Sequence, residues 1–129
     1  MEKPRLLFVD DNESVAEVGE MILSDFGYQT TSITDSIKAF EVFSKNPDNF
    51  DLIITDFYMP KMMGNELASK IKKIKDIPII LSTGSLELRP TDAHTYSVDE
   101  IIFKPYGFEE MDKILRKSFS NDKRQLKVA

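Results

Sequence analysis

Five short apolar runs, near residues 5–9, 28–33, 51–55, 77–82 and 100–103, alternate along this chain with stretches of helical periodicity. The runs are rich in Ile, Val, Leu, Phe and Thr and have the length of strands buried on both faces. Between them Val15, Val18, Ile22 and Phe26 recur at helical spacing after Asn12, a good N-cap, and stop at Gly27. Ile37, Phe40 and Phe43 follow Asp35-Ser36 in the same way and end at Asn46-Pro47. Leu67, Ile71 and Ile74 follow Gly64-Asn65, and Phe108, Met111, Leu115 and Phe119 follow Tyr106-Gly107. The stretch between Gly84 and Asp99 holds Pro90 and several hydroxyl or β-branched residues, so a short or irregular helix is expected there. Strict alternation of this kind predicts an α/β domain of right-handed crossovers. The expected architecture is a doubly wound, five-stranded parallel sheet with helices on both faces; if the strands follow the order 2-1-3-4-5, strands one and three are neighbours.

The chain is long enough for one core and too short for two: 129 residues, 41% of them hydrophobic. One domain is expected over residues 1–120, with a polar tail or the start of a linker over 121–129. Seventeen basic against twenty-two acidic residues leave a net charge of -5, which disfavours nucleic acid and anionic membranes as partners through this domain. Without cysteine there are no disulfides, thiolate metal sites or cysteine nucleophiles. The longest apolar stretches are too short to cross a bilayer, and a strand pattern begins directly after Met1-Glu-Lys-Pro-Arg5, so a cytoplasmic protein is expected.

Four of the apolar runs stop at chemically distinctive residues: Asp10-Asp11, Asp56, Thr83 and Lys104-Pro105. Strand carboxyl ends share one edge of a parallel sheet, where ligands bind. Residues ninety-odd positions apart therefore meet in one pocket of three carboxylates, a hydroxyl and an ammonium. Two like charges about 4 Å apart repel by about 4 kcal/mol at an effective dielectric near 20. A hard divalent cation relieves that crowding, and all-oxygen donors with few carboxylates suit Mg²⁺ first, with Ca²⁺ and Mn²⁺ behind it. Lys104 can carry its ammonium back over the pocket on a flexible stem.

The residues Leu6-Leu7-Phe8-Val9-Asp10-Asp11, Ile53-Ile54-Thr55-Asp56-Phe57-Tyr58-Met59-Pro60 with Gly64 beyond, Leu81-Ser82-Thr83-Gly84 and Phe103-Lys104-Pro105-Tyr106 form an ordered set. In that order they resemble the receiver domain of response regulators, the flavodoxin-like phospho-accepting module of two-component signalling. The resemblance spans essentially the whole chain. It implies that Asp56 accepts a phosphoryl group from a histidine of a sensor kinase or a histidine phosphotransfer protein. It implies a Mg²⁺ held by Asp11 and Asp56, with a water-mediated share from Asp10 and the backbone carbonyl of Tyr58. Thr83 and Lys104 would bind the phosphoryl oxygens, and the phosphorylated state would alter docking to a downstream protein or a fused output domain. Such a domain catalyses its own phosphorylation and hydrolysis, and is an enzyme only in that restricted sense.

Three positions depart from the pattern. Ile101 stands where receivers commonly carry a Tyr or Phe whose ring turns inward, Pro90 interrupts the fourth helix, and Met63 replaces a common acidic residue before Gly64. Ile101 is stiff and apolar, so it predicts one buried placement and a muted change on the face formed by the fourth helix, fifth strand and fifth helix. It also keeps a second reading open, a receiver-fold docking module with little phosphorylation-driven switching. A haloacid-dehalogenase-type site is disfavoured because Asp10-Asp11-Asn12 lacks the Asp-x-Asp spacing, and a flavodoxin-like electron carrier because Asp10-Asp11 repels a phosphate. No P-loop occurs. His94 reads as a surface residue, the methionines at 59, 62 and 63 as packing before docking, and the lysines at 70, 72, 73 and 75 as a solvated helix end.

Overall fold

The computed structural model describes residues 3–121. Its elements run β1 (Arg5–Val9), α1 (Glu13–Asp25), β2 (Gln29–Ile33), α2 (Ser36–Lys45), a 3-10 turn (Pro47–Asn49), β3 (Leu52–Asp56), α3 (Gly64–Ile74), β4 (Ile79–Thr83), α4 (Asp92–Thr95), β5 (Glu100–Phe103) and α5 (Phe108–Asn121). All strand pairs are parallel, and the order is β2-β1-β3-β4-β5. This is the doubly wound parallel sheet that the alternation predicts, in the flavodoxin-like order that the resemblance implies. Beyond Asn121, the tail expected over 121–129 lies outside the described residues.

Strand side chains alternate between two faces, and two apolar clusters follow that alternation. Leu6, Phe8, Leu52, Ile54, Ile80 and Ile102 pack with Leu23 of α1 and with Met111 and Leu115 of α5. Leu7, Val9, Ile53, Ile79, Leu81 and Ile101 pack with α2 and α3 through Ala39, Phe43, Leu67, Ala68 and Ile71. β1, β3 and β4 are buried along nearly their whole length, but β2 is not: Gln29 and Thr31 are exposed and the rest only half-buried. The expectation of two covered faces fails there because β2 is an edge strand, paired only with β1.

Helix boundaries follow their caps. Asn12 accepts from the Val15 N–H, and Asp35 accepts from the N–H groups of Ile37 and Lys38. Gly27 closes α1 at φ +102°, a conformation that favours glycine. The helix stripes, however, are rotated from those expected. α1 buries Ala16, Gly19 and Leu23 and leaves Val18 and Phe26 exposed; α2 buries Ser36, Ala39 and Phe43 and leaves Ile37 exposed; Ile74 at the end of α3 is exposed too. Small residues set this rotation because they let helix backbone approach the sheet. A Cβ at Gly19 would lie 2.8 Å from Cζ of Phe8, inside van der Waals contact. Large apolar side chains then flank the contact line.

Candidate functional site

Period-two alternation assembles the site. Phe8, Ile54 and Ile102 share the α1–α5 face, and two residues beyond each come Asp10, Asp56 and Lys104. The three side chains therefore leave the sheet edge on the same side. Lys104 Nζ lies 3.1 Å from Oδ2 of Asp10 and 3.3 Å from Oδ1 of Asp56. Asp11, exposed at the start of the turn into α1, completes a cluster with Asp10 and Asp56 in which one carboxylate oxygen from each lies within 4.8 Å of the others. The Lys104–Pro105 peptide is cis.

Backbone groups hold the carboxylates in place. Asp10 Oδ1 accepts from the Asn12 N–H at 3.0 Å, and Asp56 Oδ1 accepts from the Phe57 N–H at 3.0 Å. The loop after β3 is pinned by the Gly64 N–H donating to the Phe57 carbonyl at 2.8 Å. α3 comes so close here that a Cβ at position 64 would overlap the carbonyl oxygen of Asp56. Glycine is required by that approach.

Burial, then the charge of Asp10, push the Asp56 carboxyl up from 3.8 to about 6 against the pull of Lys104. Burial alone draws the Lys104 ammonium down, but its hydrogen bond to Asp10 and the charge of Asp56 outweigh this and leave it above the ordinary lysine value. Tyr106 is pushed up to about 12 by burial, with Asp10 and Asp56 adding to the effect. Among the described residues, one ammonium, that of Lys104, thus pairs with two of the three clustered carboxylates. The donor set is all oxygen, crowded and under-neutralised, which fits a hard divalent cation. An apolar groove of about 560 Å³ borders the site, lined by Val15, Val18, Pro105, Tyr106 and Phe108 together with Ser14 and Lys104.

A family model described as the response regulator receiver domain matches residues 6–116. This chain belongs to the receiver domain family. It is 31% identical over 125 residues to the two-component response regulator ORR22 of Oryza sativa, covering 93% of this chain and 18% of that protein. It is 30% identical over 119 residues to the probable transcriptional regulator ycf27 of Porphyridium aerugineum, covering 90% of this chain and 48% of that protein. The receiver thus spans less than half the length of these curated relatives. Among solved structures, the response regulator TrrA of Thermotoga maritima, determined in complex with Mg²⁺-BeF, superposes with a TM-score of 0.79 at 32% identity, over 88% of this chain and 97% of that one. The chemotaxis protein CheY4 of Vibrio cholerae superposes with a TM-score of 0.80 at 27% identity, over 90% of this chain and 98% of that one.

The remaining candidates make other contacts. Thr83 is fully buried at the end of β4, where its hydroxyl accepts from the Ser85 N–H at 3.0 Å and makes no hydrogen bond to Asp56 or Lys104. It has the opposite strand parity, alongside Leu81 and Ile101. Tyr58 follows in the exposed loop with its ring tilted against Phe57. Ile101 is buried in the α2–α3 cluster, as its chemistry predicts. Met59 and Met62 are buried and fill that cluster. Lys72 pairs with Asp76 and Asp99, Lys75 with Asp48, and Lys70 sits over the Phe40 ring, so the basic helix end is largely spoken for. His94 is exposed on α4, whose four residues begin after Pro90 and bear out the expectation of a short helix between Gly84 and Asp99. Among the described residues no helix is long and apolar enough to cross a membrane. Sequence reasoning missed the Phe57 N–H as a partner of Asp56; its signal was an amide directly after an acid at a strand end.

Proposed function

We propose that this receiver takes a phosphoryl group onto Asp56 from a phosphohistidine on a sensor kinase or phosphotransfer protein, and that the phosphorylated state changes its docking to a downstream partner or output domain. The observation that carries this reading is the ammonium of Lys104, 3.3 Å from Asp56 and 3.1 Å from Asp10, beside three converging carboxylates. Phosphoryl transfer asks chiefly for in-line positioning and charge neutralisation. Asp11 and Asp56 would hold Mg²⁺, with Asp10 acting through water and Tyr58 through its carbonyl. When bound, the cation neutralises charge and orients oxygens.

The chain's own residues do the rest. An oxygen of Asp56 bonds to phosphorus as the bond to the donor imidazole nitrogen breaks, and the ring leaves with the electron pair. Lys104 is already beside Asp56 to balance charge on the transferring group. Thr83 supplies a hydroxyl donor once its side chain turns from its own loop. The groove lined by Val15, Val18, Tyr106 and Phe108 flanks Lys104, so we assign it to the donor protein that must bring its histidine to this edge. Incubation with Mg²⁺ and acetyl phosphate, followed by intact mass, should show one acid-stable, base-labile phosphoryl group. Asp56→Asn should abolish it. Equal labelling of that variant, or labelling of His94, would overturn the assignment.

A further inference from the structure

A contact between two rings ties the residue after Asp56 to the end of α4. Phe57 is buried, and its N–H donates to Oδ1 of Asp56 at 3.0 Å and to the Ser82 carbonyl at 2.8 Å. Its ring meets Tyr96 edge to face, with centroids 5.1 Å apart and an interplanar angle of 77°. Tyr96 is the C-cap of α4. Ser97 follows at φ +58°, its N–H donating to the His94 carbonyl while the Val98 N–H donates to that of Ala93. This helix-ending turn fixes the backbone of Tyr96 and leads directly toward β5.

We infer that Tyr96 is a positioning residue for Asp56, acting through Phe57, and that it carries the state of the Asp56 carboxyl to the turn between α4 and β5. The inference rests on Asp56 being the acceptor. Oδ1 of Asp56 is shared by the Phe57 N–H and the Lys104 ammonium. Joining a phosphoryl group to this carboxylate draws off its charge and draws Lys104 toward new oxygens, so the Phe57 N–H faces a different acceptor. A shift of Phe57 reaches Tyr96 at once, because an edge-to-face pair depends on distance and angle. Tyr96 is half-buried, whereas Ile101, in the same apolar cluster, is buried and stiff at χ1. Change therefore enters at 92–98 by a route that does not need an aromatic ring at position 101, in contrast to the muted response expected from Ile101 alone. By linkage, a partner that favours one placement of Tyr96 changes the affinity of Asp56 for a phosphoryl analogue by the same factor.

The test is amide hydrogen exchange with and without Mg²⁺ and beryllofluoride, on the wild type and on Tyr96→Phe, Tyr96→Leu and Phe57→Leu. Wild type and Tyr96→Phe, which keeps the ring, should show an analogue-dependent change at 92–98. In Tyr96→Leu and Phe57→Leu that change should shrink by about threefold to tenfold, the factor an edge-to-face pair contributes, while the response at 83–87 persists. A merely structural role would alter exchange equally with and without the analogue. Tyr96→Leu responding like wild type at 92–98 would overturn the inference, as would a wild type that changes at 83–87 only. A wild type that binds no beryllofluoride at all would instead overturn the acceptor reading, and this inference with it.

Discussion

Replacing Asp56 with Asn should stabilise the metal-free domain, and the gain should grow with pH. The Asp56 carboxyl sits at about 6 in the fold, against 3.8 for an ordinary aspartate. Between those values the folded state holds a proton that the unfolded chain has released. The stability tied to protonated Asp56 is therefore complete below about pH 4 and is lost as pH rises through about 6. A difference of about 2 units at 1.36 kcal/mol each gives about 3 kcal/mol. Asn is neutral at every pH and keeps an Oδ1 to accept the Phe57 N–H, while Lys104 keeps its contact with Asp10. Comparing the two proteins cancels the other carboxylates to first order. Urea unfolding with a chelator present should show the variant's advantage over wild type growing by about 3 kcal/mol between about pH 4 and pH 7. A difference that stays flat, or that moves in favour of wild type as pH rises, would mean that Lys104 outweighs burial and Asp10 and that the site is not under-neutralised.

Mg²⁺ should reverse this penalty, stabilising wild type by about 2.7 kcal/mol at a hundredfold excess over its dissociation constant, with Asp11→Asn showing a smaller gain in thermal melts. Metal-free Asp11→Asn should melt no lower than wild type, since it removes a repelling charge; a drop of several degrees would mark Asp11 as a structural cap. Gly64→Ala should cost about 3 kcal/mol or more in urea unfolding, because its Cβ would overlap the rigid backbone of Asp56, and it should slow labelling at Asp56. Ser97→Gly should gain about 1 kcal/mol, since glycine holds φ +58° without strain; a loss in the same assay would mean that the Ser97 side chain has a role of its own.

What the sequence discloses and what it hides follow one physical division. The convergence of Asp10, Asp56 and Lys104 is legible because each breaks an apolar run, and a parallel sheet must bring such breaks to one edge. The helix stripes are less legible: Ala16, Gly19 and Ala39 are buried because they are small, and hydrophobic spacing gives weight to large residues, so it points to Val18 and Ile37 at the rim. Tyr96, with Phe103 and Tyr106, is legible as a candidate to stand in for the ring absent at position 101, but its contact with Phe57 is not, since that contact depends on a turn shaped by the αL conformation of Ser97. Strand parity makes this division consequential. Asp10, Asp56 and Lys104 continue the α1–α5 face, where the charges meet, while Phe57, Thr83 and Ile101 belong to the parity of the α2–α3 face. The proposed chemistry and its proposed readout thus leave the same strands on opposite sides. A residue that follows Asp56 in the chain and donates its backbone N–H to the Asp56 carboxylate can pass a change at that carboxylate across the sheet, and Phe57 meets both conditions.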